Sequence, residues 1–473
     1  MARRKLTSYF LYRRRGLLAY IFIFSALALL LAIALLIPGG LTTNEQLSSV
    51  QAMNDTIVRV NAPYYLLQKG SISLLGLSTL SIKLPSLALG AILGITLFLL
   101  LRRWLTLGIA VFGSLIIFSS VTFLSLAGTG SPAILYVLFP VLLLFFGTRV
   151  LAHDSGLILF AMLSLITVGL ALLTPTMVYL VILVLILAIF NPHVRYGVRR
   201  LPVTGRLLLG LGFIISLTPL TYLVMTEPSS LQQIFAVPES VTLTTLGSNI
   251  STLHSLFLDF LHPGLAADMP APLIGLAVFG LAILGLYRMI RAIYTARAQF
   301  ILGWSVIALF LAIIDHGFGI LLFLPIILLA SLGLSHLAAI WYRTFPLNPY
   351  ARVSALLPIG ILIGGIVLGS SMRYINTTLY ADGAAELYSH DLQILQRYLH
   401  TATPSKVVVA VPEQQVSFYS SLRSPSISDV VPLSNAASMN GPLITTQAQD
   451  AKTPIRILTD GRADHADRFY VYQ

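Results

Sequence analysis

About eleven stretches of this chain run for roughly twenty residues each with hardly a charge, and a chain built that way has few ways to fold. They lie near 17–37, 83–101, 105–126, 132–147, 155–173, 176–191, 206–225, 272–288, 299–314, 317–337 and 354–372. A bilayer core is crossed by about 20 apolar residues in a helix. Only 10% of the residues are charged and 57% are hydrophobic, whereas a soluble domain carries about a quarter charged residues. The expected fold class is therefore a polytopic α-helical membrane protein with about eleven transmembrane helices. Pro175 in "LTPTM" marks a tight hairpin between two of them, and the fourth is short enough to be tilted or partly re-entrant.

A formal net charge of +12 could suggest a nucleic-acid partner. The basic residues do not form one patch, however, so no nucleic acid is expected. They fall in short clusters between apolar runs, and the clusters alternate. Arg3, Arg4, Lys5, Arg13, Arg14 and Arg15 open the chain. Arg102, Arg103, Arg149, Arg195, Arg199, Arg200 and Arg206 follow at every second turn, and then Arg288, Arg291, Arg297, Arg343 and Arg352. The segment from Thr226 to Pro270 has Glu227, Glu239, Asp259 and Asp268 but no Lys or Arg. The positive-inside rule puts the N-terminus in the cytoplasm. An odd number of spans then puts the C-terminus outside. The first apolar run is too long for a signal-peptide core and no small-residue cleavage site follows it, so it reads as a retained span. A multi-pass protein of the cell membrane is expected. There are no cysteines, which excludes disulfides and thiolate chemistry.

Three parts follow: a cytoplasmic basic N-terminus (1–16), a transmembrane domain (17–372) with outer loops at 38–82 and 226–271, and a small extracytoplasmic α/β domain (373–473). In the last part "GAAELYSHDLQILQRYLH" and "EQQVSFYSSLR" read as helices and "KVVVAVP", "PIRILTD" and "DRFYVYQ" as strands, while "NAASMNGPLITTQAQDAKTP" reads as a flexible loop. No internal repeat or matched pair of broken helices supports a secondary transporter.

The first loop holds the most informative polar residues. In "NEQLSSVQAMNDTIVRV" the apolar Leu47, Val50, Met53, Ile57, Val58 and Val60 recur at helical spacing. The pattern predicts a helix lying along the membrane with its apolar side down. Glu45 stands in its first turn, where the helix dipole favours a carboxylate and Thr42 or Thr43 could cap. The plain role for Glu45 is that of a helix-start acid. Against it stand its place just after the first span and a loop whose only other acid is Asp55.

The stretch "NAPYYLLQKGSISLLGLSTLSIKLPSLALGAI" resembles the first-loop pattern of GT-C glycosyltransferases, in the branch of protein O-mannosyltransferases and lipid A aminoarabinose transferases (glycosyltransferase family 39-like). There an acid after the first span precedes a "P-L-Y" stretch, a Gly–x–Ser segment and "R-L-P-S". Here these parts are Glu45, "APYYLLQ", "LLGLS" and "IKLPS". "AGTGSPAILYVLFPVLLLFF" is similar to the next outer turn of the family, and "FGILLFLPIILLASLGLSHL" to its late "L-L-P" span. The resemblance spans roughly residues 17–372. Three departures stand out, one being that the basic residue often found before the late "L-L-P" span is not matched by Arg, with Asp315 and His316 nearby. Asn44-Glu45 replaces the usual Asp-Glu, and Lys83 replaces the Arg of "R-L-P-S".

The resemblance implies transfer of a sugar from a polyprenyl-phosphate carrier, a membrane lipid, to a protein, glycan or lipid acceptor. It implies Glu45 as general base. Donors for the leaving phosphate would come from Arg59, Lys69, Lys83, His254, His262 and His316, of which Lys69 and Lys83 could equally be snorkelling anchors. His254 and His262 lie eight apart in a helix-like stretch and could share a face. No metal and no cofactor beyond the lipid-linked donor is expected, because "SLAGTGSPAIL" has no acid and Asp315 with His316 is too small a ligand set. Two other classes remain open: a polytopic transporter or flippase of envelope precursors, and a non-catalytic relative. Asn54, Asn249 and Asn376 begin acceptor sequons predicted to lie outside.

Overall fold

A computed structural model describes residues 10–54, 59–152, 157–199, 201, 203–238, 242–267, 269–344, 349–401, 406–422, 426–438, 441–449, 453–462 and 466–473. Arg3, Arg4, Lys5, Asp55, Ile57, Val58, Arg200, Glu239 and Asp268 lie outside them. Seven described helices are long and apolar enough to cross a membrane, or eight if the bent pair Leu107–Phe118 and Val121–Gly128 is one span. Leu157–Ala171 and Met177–Phe190 are apolar but shorter, at 15 and 14 residues, and Leu276–Arg291 packs beside the longer helices. The bend between residues 118 and 121 has a local cause. Ser119 and Ser120 donate their hydroxyls back to the carbonyls of Ile116 and Ile117, and Ser120 then caps the next helix through Phe123 N–H. The span expected at 206–225 is also two helices, Val203–Ser216 and Thr218–Thr226, which part just before Pro219.

Lipid offers no hydrophobic drive for one apolar helix to prefer another, so close packing holds such a body together. The tightest crossing joins Leu276–Arg291 to Phe323–Thr344. A Cβ on Gly285 would stand 1.9 Å from the Leu329 carbonyl oxygen, and one on Gly333 1.9 Å from that of Leu281. Only glycine permits two backbones that close. The first helix, Phe10–Leu36, packs in the same manner on Thr79–Trp104, where Leu31 and Leu27 fill the space beside Gly90 and Gly94.

The two ends of the body differ. At one end the arginine-bearing turns meet: Arg297 stacks over Trp104, 5.3 Å from its ring centre, next in chain to Arg102 and Arg103. Asn191 donates to Gln299 at the same end. At the other end lie the first loop and the C-terminal domain, and they touch. Leu41 and Ser389 form a β-bridge, and Gln393 and Gln396 donate to the carbonyls of Gly39 and Leu77. The bridge at Ser389 corrects the expected long helix over "GAAELYSHDLQILQRYLH". It is two helices, Ala384–Leu387 and Asp391–Thr401, because the backbone of Ser389 between them pairs with Leu41 of the first loop instead.

Two short strands, β1 (Gly264–Ala266) and β2 (Met269–Ala271), pair antiparallel, and the C-terminal sheet has the order β4-β3-β5-β7-β6, built from β3 (Val407–Val411), β4 (Ile427–Pro432), β5 (Leu443–Thr445), β6 (Arg456–Thr459) and β7 (Asp467–Tyr472). β3 pairs in parallel with β4 and β5, and β7 pairs antiparallel with β5 and β6. β5 is a second correction. The segment read as a flexible loop contains a central strand, all three residues of which are buried. Polar and small residues on either side of "PLIT" hide so short a strand from a pattern search. Arg468 on β7 clamps Asp391 with two hydrogen bonds of 2.7 and 3.0 Å and ties the sheet to the Asp391–Thr401 helix.

Replacing Gly285 or Gly333 by Ala should destabilise the body by about 1–3 kcal/mol through overpacking, read as an earlier thermal transition in detergent. Gly280→Ala, in the same helix with nothing within 4 Å of the new atom, should leave it unchanged.

Candidate functional site

The first loop folds as the helices Thr43–Met53 and Ala62–Leu75. Thr42 is the N-cap of the first, and the Thr42-x-x-Glu45 spacing forms a complete capping box. Glu45 N–H donates to Thr42 Oγ1 at 3.2 Å, and Thr42 N–H donates to Glu45 Oε2 at 2.7 Å. The helix ends at Met53, so the expected run to Val60 is not one helix. Its orientation is also corrected. The face turned into the protein is Glu45, Gln46, Ser48, Ser49 and Ala52, while Leu47 is half exposed. The polar side is buried because polar partners wait for it there.

Those partners come from three other places in the chain. Gly130 N–H donates to Glu45 Oε1, and Lys83 Nζ stands 3.8 Å from the same oxygen. Both side chains are 0% exposed. Next to them Ser48 donates to Gln68 at 2.8 Å, and the Gln68 amide donates to the carbonyls of Ile82 and Gly130 at 3.1 Å each. The Tyr64 hydroxyl shares a 2.8 Å hydrogen bond with Ser86. Burial is the main reason that the Tyr64 hydroxyl is held far above its usual pKa, with the Glu45 charge adding to it. This seam stitches the first loop to the Thr79–Trp104 helix and the 129–131 turn. Among the described residues Lys83 Nζ makes no hydrogen bond, so the buried ammonium rests on the Glu45 charge.

Directly outside the seam lies a cavity of about 340 Å³ lined by Asn44, Ser48, Gln51, Tyr65, Ser131 and Tyr136, among others. The chain alternates across its wall. Asn44 and Ser131 face the cavity, and their neighbours Glu45 and Gly130 are bonded to each other behind them. The Arg59 guanidinium stacks on the wall residue Tyr65, 4.7 Å from the ring centre. Arg59 is 9% exposed, and its Nε and one terminal nitrogen have no hydrogen-bond partner among the described residues. Burial lowers its pKa from the usual arginine value, with the neighbouring Tyr65 pulling the other way. Buried donors left unpaired are costly, and an anion would satisfy them.

The other candidate residues stand elsewhere. Lys69 lines a separate cavity of about 740 Å³ between the Ala62–Leu75 helix and the C-terminal domain. His316 is partnered by Asn249 at 3.0 Å, on a turn whose Phe318 packs edge-on against Tyr136. Asn249 also donates to the carbonyls of Ile313 and Ile314, so its amide is committed to the fold. His254 and His262 do not share a helical face. The helix ends at Phe257, and Asp259 then turns the chain by accepting from His262 N–H. Sequence reasoning did not mark Tyr65, Tyr136, Ser131 or Gln68. All four lie inside the motifs that carry the family resemblance, but their convergence needs contacts between distant segments.

No protein-family model matches the chain, and no curated protein sequence does. Solved structures match along its whole length. ArnT from Cupriavidus metallidurans in the apo state superposes with a TM-score of 0.57 at 16% identity, covering 96% of this chain and 97% of that one. The same protein bound to undecaprenyl phosphate gives a TM-score of 0.57 at 15% identity, with equal coverage. This chain therefore shares the fold of that structure, with apolar helices of a multi-pass membrane protein and a small C-terminal sheet domain.

Lys83→Met should destabilise the protein by about 3–5 kcal/mol, the usual cost of stranding one member of a buried ion pair. Adding Glu45→Gln should recover part of that loss. Thermal unfolding in detergent of the single and double variants measures both.

Proposed function

We propose that this chain is a membrane glycosyltransferase that moves a sugar from a polyprenyl-phosphate carrier to an acceptor hydroxyl on the extracytoplasmic face. The observation that carries the reading is Arg59: a buried guanidinium with unsatisfied N–H groups, stacked on the aromatic wall of a cavity, in a fold shared with a protein whose structure holds undecaprenyl phosphate. In this reading Arg59 donates to the carrier phosphate, and Lys83 adds its positive field from behind the wall. The gathering of arginine turns at the opposite end supports a cytosolic position for that end, which would leave the cavity outside.

The reaction moves one proton and exchanges one bond. The acceptor oxygen attacks the anomeric carbon while its proton passes to a carboxylate. The bond from that carbon to the phosphate oxygen breaks, and its electron pair stays on the phosphate, where Arg59 stabilises the charge. We assign the proton to Glu45. Its carboxylate lies one residue behind the cavity wall, and it reaches the acceptor when the turn at Gly130–Ser131 releases Oε1. The sugar could be a hexose or a pentose.

One observation favours a second reading, a carrier-binding relative without transferase activity. No carboxylate lines the cavity among the described residues, and Asn44 faces it where the family resemblance has Asp.

Arg59→Gln should weaken undecaprenyl phosphate binding to the purified protein about tenfold or more, the worth of a lost charge-assisted hydrogen bond. Unchanged binding would contradict the reading. Glu45→Gln should abolish sugar transfer from the lipid-linked donor to envelope extract while the carrier still binds. Transfer that survives removes Glu45 as base, and carrier binding without transfer by the unaltered protein favours the second reading.

A further inference from the structure

A third cavity, of about 620 Å³, opens where the C-terminal domain meets the ends of the first two long helices. Its apolar wall includes Leu36, 73% exposed at the end of Phe10–Leu36, and Leu80, 47% exposed at the start of Thr79–Trp104. Exposed leucines at the ends of apolar spans mark the level at which the hydrocarbon of a bilayer stops. The facing wall belongs to the C-terminal domain and carries His390, Arg397, Asp460 and Arg462. Asp460 is already engaged: His390 Nδ1 lies 3.4 Å from one oxygen, and the Arg462 backbone N–H donates to the other at 3.2 Å. Neither guanidinium, on Arg397 or on Arg462, has a carboxylate partner among the described residues. One side of the cavity is thus at hydrocarbon level and the other offers two arginine forks.

We propose that this cavity binds the phosphate of an anionic diacyl phospholipid and so fastens the C-terminal domain to the bilayer. Arginine forks match phosphate oxygens in a bidentate manner, and the leucines continue into the space that the acyl chains fill. The carrier phosphate of the transferase reading has a different place, beside Arg59 and Tyr65, so this site stands or falls separately.

The test is native mass spectrometry of the full-length chain in detergent, titrated with phosphatidylglycerol, phosphatidylcholine, undecaprenyl phosphate or inorganic phosphate. The site predicts about tenfold preferential retention of phosphatidylglycerol over phosphatidylcholine. Arg397→Gln with Arg462→Gln should abolish the preference, and Arg397→Lys with Arg462→Lys should keep most of it at an unchanged thermal transition. Equal retention of the two phospholipids overturns the proposal. So does a preference that survives the Gln pair, displacement of phosphatidylglycerol by equimolar inorganic phosphate, or loss of the preference only in variants that no longer unfold cooperatively. Retention of undecaprenyl phosphate in its place, lost in the Gln pair, overturns the choice of lipid.

Discussion

A buried carboxylate organises this end of the molecule. Glu45 has lost all contact with water, and an isolated charge in that position would be prohibitive. It is tolerated because two backbone N–H groups and one ammonium converge on it from Thr42, Gly130 and Lys83. Those three positions belong to the first-loop helix, the turn before the Pro132–Leu151 span, and the Thr79–Trp104 helix. The electrostatic need of one side chain therefore fixes the relative placement of three segments. A neutral residue would not impose the same geometry, since the Lys83 charge would have no reason to converge on it.

The cavity is the outer surface of that clamp. Glu45 draws Gly130 inward, and the adjoining Ser131 and Asn44 become wall. Tyr65 follows from the helix that Gln68 and Tyr64 anchor to the seam, and Tyr65 in turn supports Arg59. The proposed donor site thus inherits its shape from a structural ion pair. That link also accounts for an acid which can be both a helix-start residue and part of the site. The capping box and the buried pair use different oxygens of the same carboxylate.

Much of the architecture was legible in the sequence because membrane spans declare themselves by length and lack of charge. The sequence also marked the first loop as the place of interest, and the capping role of Thr42 with Glu45 could be read from their spacing. What stayed hidden was long-range. Glu45 meets a partner 85 residues away, and Gln68 one 62 residues away. The burial of the polar face of Thr43–Met53 ran against the amphipathic rule, because that rule assumes an apolar surface beneath, and here the surface beneath is the polar seam. Lys83 was read as a span-end anchor or a phosphate donor, and nothing local signalled that it is wholly buried. The strand at Leu443–Thr445 escaped because three residues between turn-formers make no pattern, and only their neighbours in the sheet define them.

In the proposed reading Asn44 faces an open cavity that binds the lipid phosphate on the extracytoplasmic side, with Glu45 sealed behind it. The chain has no cysteine, so a single one introduced as Asn44→Cys reports alone. In intact cells a membrane-impermeant maleimide added from outside should label it, and undecaprenyl phosphate added to the purified variant should slow the same reaction. Labelling only after the membrane is breached, or a rate indifferent to undecaprenyl phosphate, would contradict the account.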